Sequence, residues 1–197
     1  LTGGIQTTGN YPGRATTIDQ LRADFEKATS LIPGKKKISL HAIYLDNQGE
    51  KVDRTEIEPK HFASWVEWAK KNSIGLDFNP TCFSHPMSAS GFTLSSADDD
   101  VRAFWVEHCI KSRIIAEYFG RELGDTACTN YWIPDGFKDI PIDRYAWRER
   151  LIDSYDKIFA GQDKKYNLNA IESKVFGIGA ESCTIGSLEM RLGYAVK

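Results

Sequence analysis

Apolar residues at Ile18, Leu21, Phe25, Ala28 and Ile32 recur at helical spacing until Pro33-Gly34 breaks the run, which predicts a first helix. Ile38 to Leu45 then predicts a strand. Beyond a polar loop, Phe62, Trp65, Val66 and Ala69 share one face of a second helix, and Ile74 to Asn79 predicts a short strand ended by Pro80. A loop rich in Ser, Gly and Pro runs from Thr81 to Ser96. The acids Asp98, Asp99 and Asp100 follow, where negative charge favours a helix N-terminus, and this third helix is predicted to end near Gly120. Cys128 to Ile133 reads as the next strand and Pro134-Asp135-Gly136 as its turn. Ile142, Ala146, Ile152, Tyr155 and Phe159 mark a fourth helix, and Asn169 to Lys174 a fourth strand.

Helices and short strands therefore alternate, an order that predicts a parallel sheet with helical crossovers rather than a meander or sandwich. No internal repeat or disordered linker divides the chain, so residues 1–197 read as belonging to one domain. In such folds chemistry gathers in the loops after the carboxyl ends of the strands. Those loops are Leu45-Asp46, Asn79 to Pro86, Trp132 to Gly136, and Glu172 to Glu181.

Composition narrows the functional classes. With 41% hydrophobic and 26% charged residues the chain is globular, and a net charge of -2 supplies no positive field for nucleic acid. Lys35-Lys36-Lys37 reads as a solvated turn. No apolar run approaches the roughly 20 residues that span a bilayer, and no basic segment precedes an apolar core as in a secretory signal, so a cytoplasmic setting with no membrane partner is expected. Cys82, Cys109, Cys128 and Cys183 form no C-x-x-C pair and read as reduced core thiols.

Glu172 and Lys174 stand two apart, so strand periodicity puts both on one face. There a carboxylate can bind a divalent cation and an ammonium can hold a substrate oxygen that becomes negative, although an intrastrand ion pair fits the spacing as well. Trp132 is either core or a plate against the apolar face of a sugar. His85, in the loop after the second strand, is solvated or hydrogen-bonds a sugar hydroxyl. His41 reads as a structural histidine inside its strand, while His61 and His108 fall on helices with no evident task. No H-x-x-x-H or H-E-x-x-H spacing completes a zinc site, and Gly177-x-Gly179 lacks the rest of a dinucleotide fingerprint.

Taken as longer phrases, Leu1-Thr2-Gly3-Gly4-Ile5-Gln6, Gly9-Asn10-Tyr11-Pro12-Gly13, Leu40-His41-Ala42-Ile43-Tyr44, Leu76-Asp77-Phe78-Asn79-Pro80, Cys82-Phe83-Ser84-His85-Pro86, Trp132-Ile133-Pro134-Asp135-Gly136, Glu172-Ser173-Lys174 and Gly177-Ile178-Gly179-Ala180-Glu181-Ser182 closely resemble the L-rhamnose isomerase family. The resemblance covers essentially the whole chain. It implies a partial TIM (β/α)8 barrel of the xylose-isomerase-like kind, contributing strands 2 to 5 with their helices. It implies reversible conversion of L-rhamnose to L-rhamnulose with a divalent metal, manganese first and zinc or cobalt as alternatives, in a homotetramer.

By the same resemblance Glu172 is a metal ligand, Lys174 contacts the carbonyl end of the sugar, and Trp132 and His85 line the sugar pocket, with residues 2–13 helping to cover it. Glu181 ranks below Glu172 as a ligand. A barrel of this type takes about 250 residues, so the chain is expected to be cut at both ends, to lack the remaining metal ligands and to be inactive alone. Two rivals remain: another metal-dependent sugar isomerase or epimerase on the same barrel, and a non-catalytic sugar-binding fragment.

Overall fold

The computed structural model describes residues 12–136, 142–173, 185 and 188–196. Five helices and four strands are defined among these residues: α1 (Ile18–Ser30), β1 (Lys37–His41), α2 (Ala63–Asn72), β2 (Gly75–Asn79), α3 (Asp99–Leu123), β3 (Ala127–Tyr131), α4 (Arg144–Phe159), β4 (Asn167–Ile171) and α5 (Leu188–Ala195). The strands form one parallel sheet in the order β1-β2-β3-β4, as the alternating pattern predicts and as part of a barrel requires.

The helix starts follow from local chemistry. Thr17 and Gln20 form a capping box at α1, Asp98 accepts from the N–H groups of Asp100 and Val101 at α3, and Asp143 accepts from Ala146 at α4. Helix α3 runs past the expected stop at Gly120 and ends at Gly124, whose φ of 65° suits glycine. Gly120 instead marks a close approach. A Cβ there would lie 2.0 Å from the Tyr166 carbonyl oxygen, so the bare backbone lets α3 lie against the start of β4.

Two strands differ from their expected bounds. β1 stops at His41, because Ala42–Tyr44 tightens into a 3-10 turn whose Tyr44 carbonyl accepts the Trp65 indole N–H at 2.8 Å. β4 begins at Asn167 and ends at Ile171, so Glu172 lies just beyond the ladder with its N–H on the Tyr131 carbonyl. Lys37 is no solvated turn residue: it opens β1 and reaches Asp77 at 3.4 Å and Asp125 at 3.3 Å.

One face of the sheet carries the core. Ile38, Leu40, Leu76, Phe78 and Ala127 pack on Phe62, Trp65, Val66 and Phe119, while Tyr131 and Ile133 pack on Trp105, Cys109, Leu151 and Tyr155. Each fully buried aliphatic or aromatic side chain there contributes about 1.5–3 kcal/mol. Alternation turns Ser39, His41, Asp77, Asn79, Cys128, Asn130, Leu168 and Ala170 to the other face, which is polar apart from Leu168 and Ala170. Asp77 bridges the strands on that face, accepting the Cys128 N–H at 2.8 Å.

Candidate active site

The carboxyl ends of β1, β2 and β3 bring an aromatic row together. Tyr44 meets His41 with ring centroids 5.8 Å apart, His41 meets Phe83 at 6.3 Å, and Phe83 meets Trp132 at 5.4 Å, each pair edge to face. Trp132 is half-buried, so part of its surface remains open beside the row.

His41 is anchored through the turn that ends β2. Its Nδ1 lies 3.0 Å from the Thr81 hydroxyl, which itself sits 3.3 Å from the Asn79 carbonyl. A carbonyl accepts only, so Thr81 donates to Asn79 and accepts from Nδ1–H of His41; the network thus assigns the tautomer. Burial lowers the His41 pKa, so the ring is neutral at pH 7 and its Nε2 lone pair is the available acceptor. The geometry at Thr81 is strained, with φ of 59°, and the Asn79 side chain holds it by accepting the Thr81 N–H at 2.9 Å.

Glu172 stands at the end of β4. The Asn130 amide of β3 donates to its Oε2, joining it to the polar sheet face. Lys174, Glu181 and residues 2–11 of the segment 2–13 expected to cover the pocket lie outside the described residues. Among the described residues no group of three or more His, Cys, Asp and Glu side chains could hold a metal ion. Glu172 fits one ligand position: it offers hard carboxylate oxygens, and Asn130 orients them from behind.

His85 is held elsewhere. Its Nδ1 accepts the Met87 N–H at 3.1 Å, its Nε2 lies 2.9 Å from Asp53, and its ring stacks on Phe104 at 4.9 Å. Those contacts tie it to the loop wall and α3, with both ring nitrogens engaged.

Sequence reasoning missed several residues. His41, expected to be a structural histidine, is hydrogen-bonded to Thr81 as that reading requires, and what the sequence leaves out is its place in the aromatic row. Asn130 precedes Trp132 by two, so alternation alone signals a shared face. His108, expected to have no task, is fully buried with Nδ1 2.7 Å from the Arg54 carbonyl and Nε2 2.6 Å from the Pro80 carbonyl. Two carbonyls favour the doubly protonated ring, but burial is the larger effect and pushes the pKa down to about 4. Asp135 is no simple turn residue. Its buried carboxylate accepts from the N–H and hydroxyl of both Thr93 and Ser95, at 2.5 to 2.9 Å.

A cavity of about 810 Å³ lined by Lys36, Lys37, Lys70, Gly75 and Glu122 opens at the opposite, N-terminal end of the strands. Strand direction argues for the carboxyl-end residues as the site, since the loops there face one another.

The family model for L-rhamnose isomerase (RhaA) matches residues 1–197. An L-rhamnose isomerase of Pectobacterium carotovorum is 61% identical over 196 residues, which are 99% of this chain and 46% of that protein. One from Listeria monocytogenes is 60% identical over 197 residues, 100% of this chain and 47% of the relative. One from Klebsiella pneumoniae is 56% identical over 196 residues. The chain spans about half the length of these relatives.

Proposed function

This chain belongs to the L-rhamnose isomerase family, and on that premise we propose that the whole protein interconverts L-rhamnose and L-rhamnulose on a xylose-isomerase-like barrel, using a divalent cation. The observation that carries this reading is the 61% identity to a protein named L-rhamnose isomerase, sustained over 99% of this chain. The arrangement at the strand ends supports it.

In this reading the row Tyr44, Phe83 and Trp132 presents ring faces and edges to the apolar side of a deoxy sugar. His41, neutral and with Nε2 available, accepts a hydrogen bond from a sugar hydroxyl and can take its proton as the ring opens. Glu172 supplies one anionic ligand to the cation, manganese by preference, and Lys174 stabilises negative charge on the reacting oxygen. When bound, the cation would supply Lewis-acid polarisation of the sugar oxygens on C1 and C2, the two carbons between which hydrogen moves. His85, engaged by Met87 and Asp53, shapes the loop wall rather than donating to the sugar directly.

The reading is tested by supplying L-rhamnose and manganese to the full-length protein and following ketose formation. Turnover is expected; none with rhamnose, alongside turnover of another aldose, would reassign the substrate. Trp132→Ala should narrow the preference for L-rhamnose over L-mannose, which carries a hydroxyl on C6, by about 1–3 kcal/mol. An unchanged preference would return Trp132 to a purely structural role.

A further inference from the structure

The sulfurs of Cys82 and Cys109 are only 3.6 Å apart, and both residues are free thiols with no exposed surface. They come from separate elements. Cys82 sits in the turn after β2, between Thr81, which fixes His41, and Phe83, which links His41 to Trp132. Cys109 is on α3, next to His108, whose Nε2 holds the Pro80 carbonyl at the start of the same turn. The remaining described cysteine, Cys128, is half-buried on the polar face of the sheet.

We propose that Cys82 and Cys109 are a redox modification site, a dithiol that a hydroperoxide converts to a disulfide, and that its closure shifts the turn carrying Thr81 and Phe83. In the first step a thiolate attacks one oxygen of the hydroperoxide. The O–O bond breaks, leaving a sulfenic acid and, after protonation, an alcohol or water. The second sulfur then attacks the first, the S–O bond breaks and water leaves. Two thiols and one hydroperoxide give one disulfide, one alcohol or water, and one further water; the two electrons lost by sulfur reduce the O–O bond. A dithiol reductant reverses the change.

Bond formation closes the sulfurs from 3.6 Å to about 2.05 Å, so roughly 1.5 Å of motion is shared between α3 and the turn. Helix α3 is pinned against β4 at Gly120 and packs along the sheet, whereas the turn bears the strained Thr81. The turn therefore takes most of the displacement. A misplacement of about 1 Å in a catalytic geometry can cost about a hundredfold. Burial also pushes the Cys109 thiol well up, which keeps the thiolate scarce and makes local opening the gate to oxidation. The competing account is that the two are small hydrophobes in a weak S–H contact.

The test treats the full-length protein with hydrogen peroxide under native conditions, then unfolds it in an alkylating agent and maps it without reduction. A peptide linking Cys82 to Cys109 is expected, with an intact mass lower by about 2 Da and recovery on reduction. Isomerisation by the linked fraction should fall about 10- to 100-fold. Recovery of Cys82 and Cys109 as alkylated thiols after Cys128 has been oxidised would overturn the site. Linkage with unchanged turnover would overturn its coupling to the turn. Cys109→Ser should abolish the link, and the wild-type mapping stands if that variant does not fold. Because mapping needs no turnover, it is also independent of the sugar assignment.

Discussion

Asp135 follows β3 and Glu172 follows β4, yet these two carboxylates occupy opposite surroundings. Asp135 is fully buried and receives four donors from Thr93 and Ser95. Around it the backbone of residues 93–95 is satisfied by side chains: Ser154 donates to the Leu94 carbonyl and Arg150 to the Ser95 carbonyl. Glu172 is half-buried, with the Asn130 amide on one of its oxygens. A carboxylate whose lone pairs are filled by the fold is committed to stability. One that keeps oxygens in reserve has capacity for a ligand.

Removing each acid should separate the two roles. Asp135→Ala leaves buried donors without an acceptor and should cost about 3–5 kcal/mol, read from the denaturation midpoint of the full-length protein. Glu172→Gln should change that midpoint by less than about 1 kcal/mol while weakening manganese binding at least about tenfold in a titration. Equal destabilisation by both would erase the distinction.

His108 belongs with Asp135 on the committed side, and it adds a pH dependence. Its folded pKa of about 4 lies below the ordinary 6.5, so between these values the unfolded chain binds the proton more readily. The stabilising contribution is complete above about pH 6.5 and is lost as the pH falls toward 4, by about 3 kcal/mol in all. In His108→Gln this part of the acid dependence of the denaturation midpoint should disappear.

The smallest effect is expected at Thr81. Thr81→Val keeps the shape but removes the oxygen that accepts from His41, so turnover should fall about tenfold and the acid limb of the pH–rate profile should move. A lower rate with an unmoved profile would mean that Thr81 serves only the fold of its turn.

What the sequence made legible, and what it hid, follows from the range of each interaction. The helices are readable because Ile18, Leu21 and Phe25, or Phe62, Trp65 and Val66, repeat within a few residues. The end of β1 is not, because Ala42-Ile43-Tyr44 is as apolar as a strand and only the distant Trp65 indole identifies the turn. The Asp135 latch escapes because its partners lie about 40 residues away, and Pro-Asp-Gly is by itself an ordinary turn. At the candidate site, Trp132 and Glu172 stand out as residue types at strand ends. Thr81 and Asn130 do not, since their importance lies in the hydrogen bonds they form across strands.

The strand order β1-β2-β3-β4 has a consequence for synthesis. Each of β2, β3 and β4 pairs with the strand translated just before it, after a helix long enough to cross over the sheet, so none of these three waits for a partner still inside the ribosome. The described part of the sheet can thus be assembled as a queue, with the latest edge serving as the template for the next arrival. The aromatic row would then be complete when Trp132 clears the exit tunnel, before Glu172 follows it.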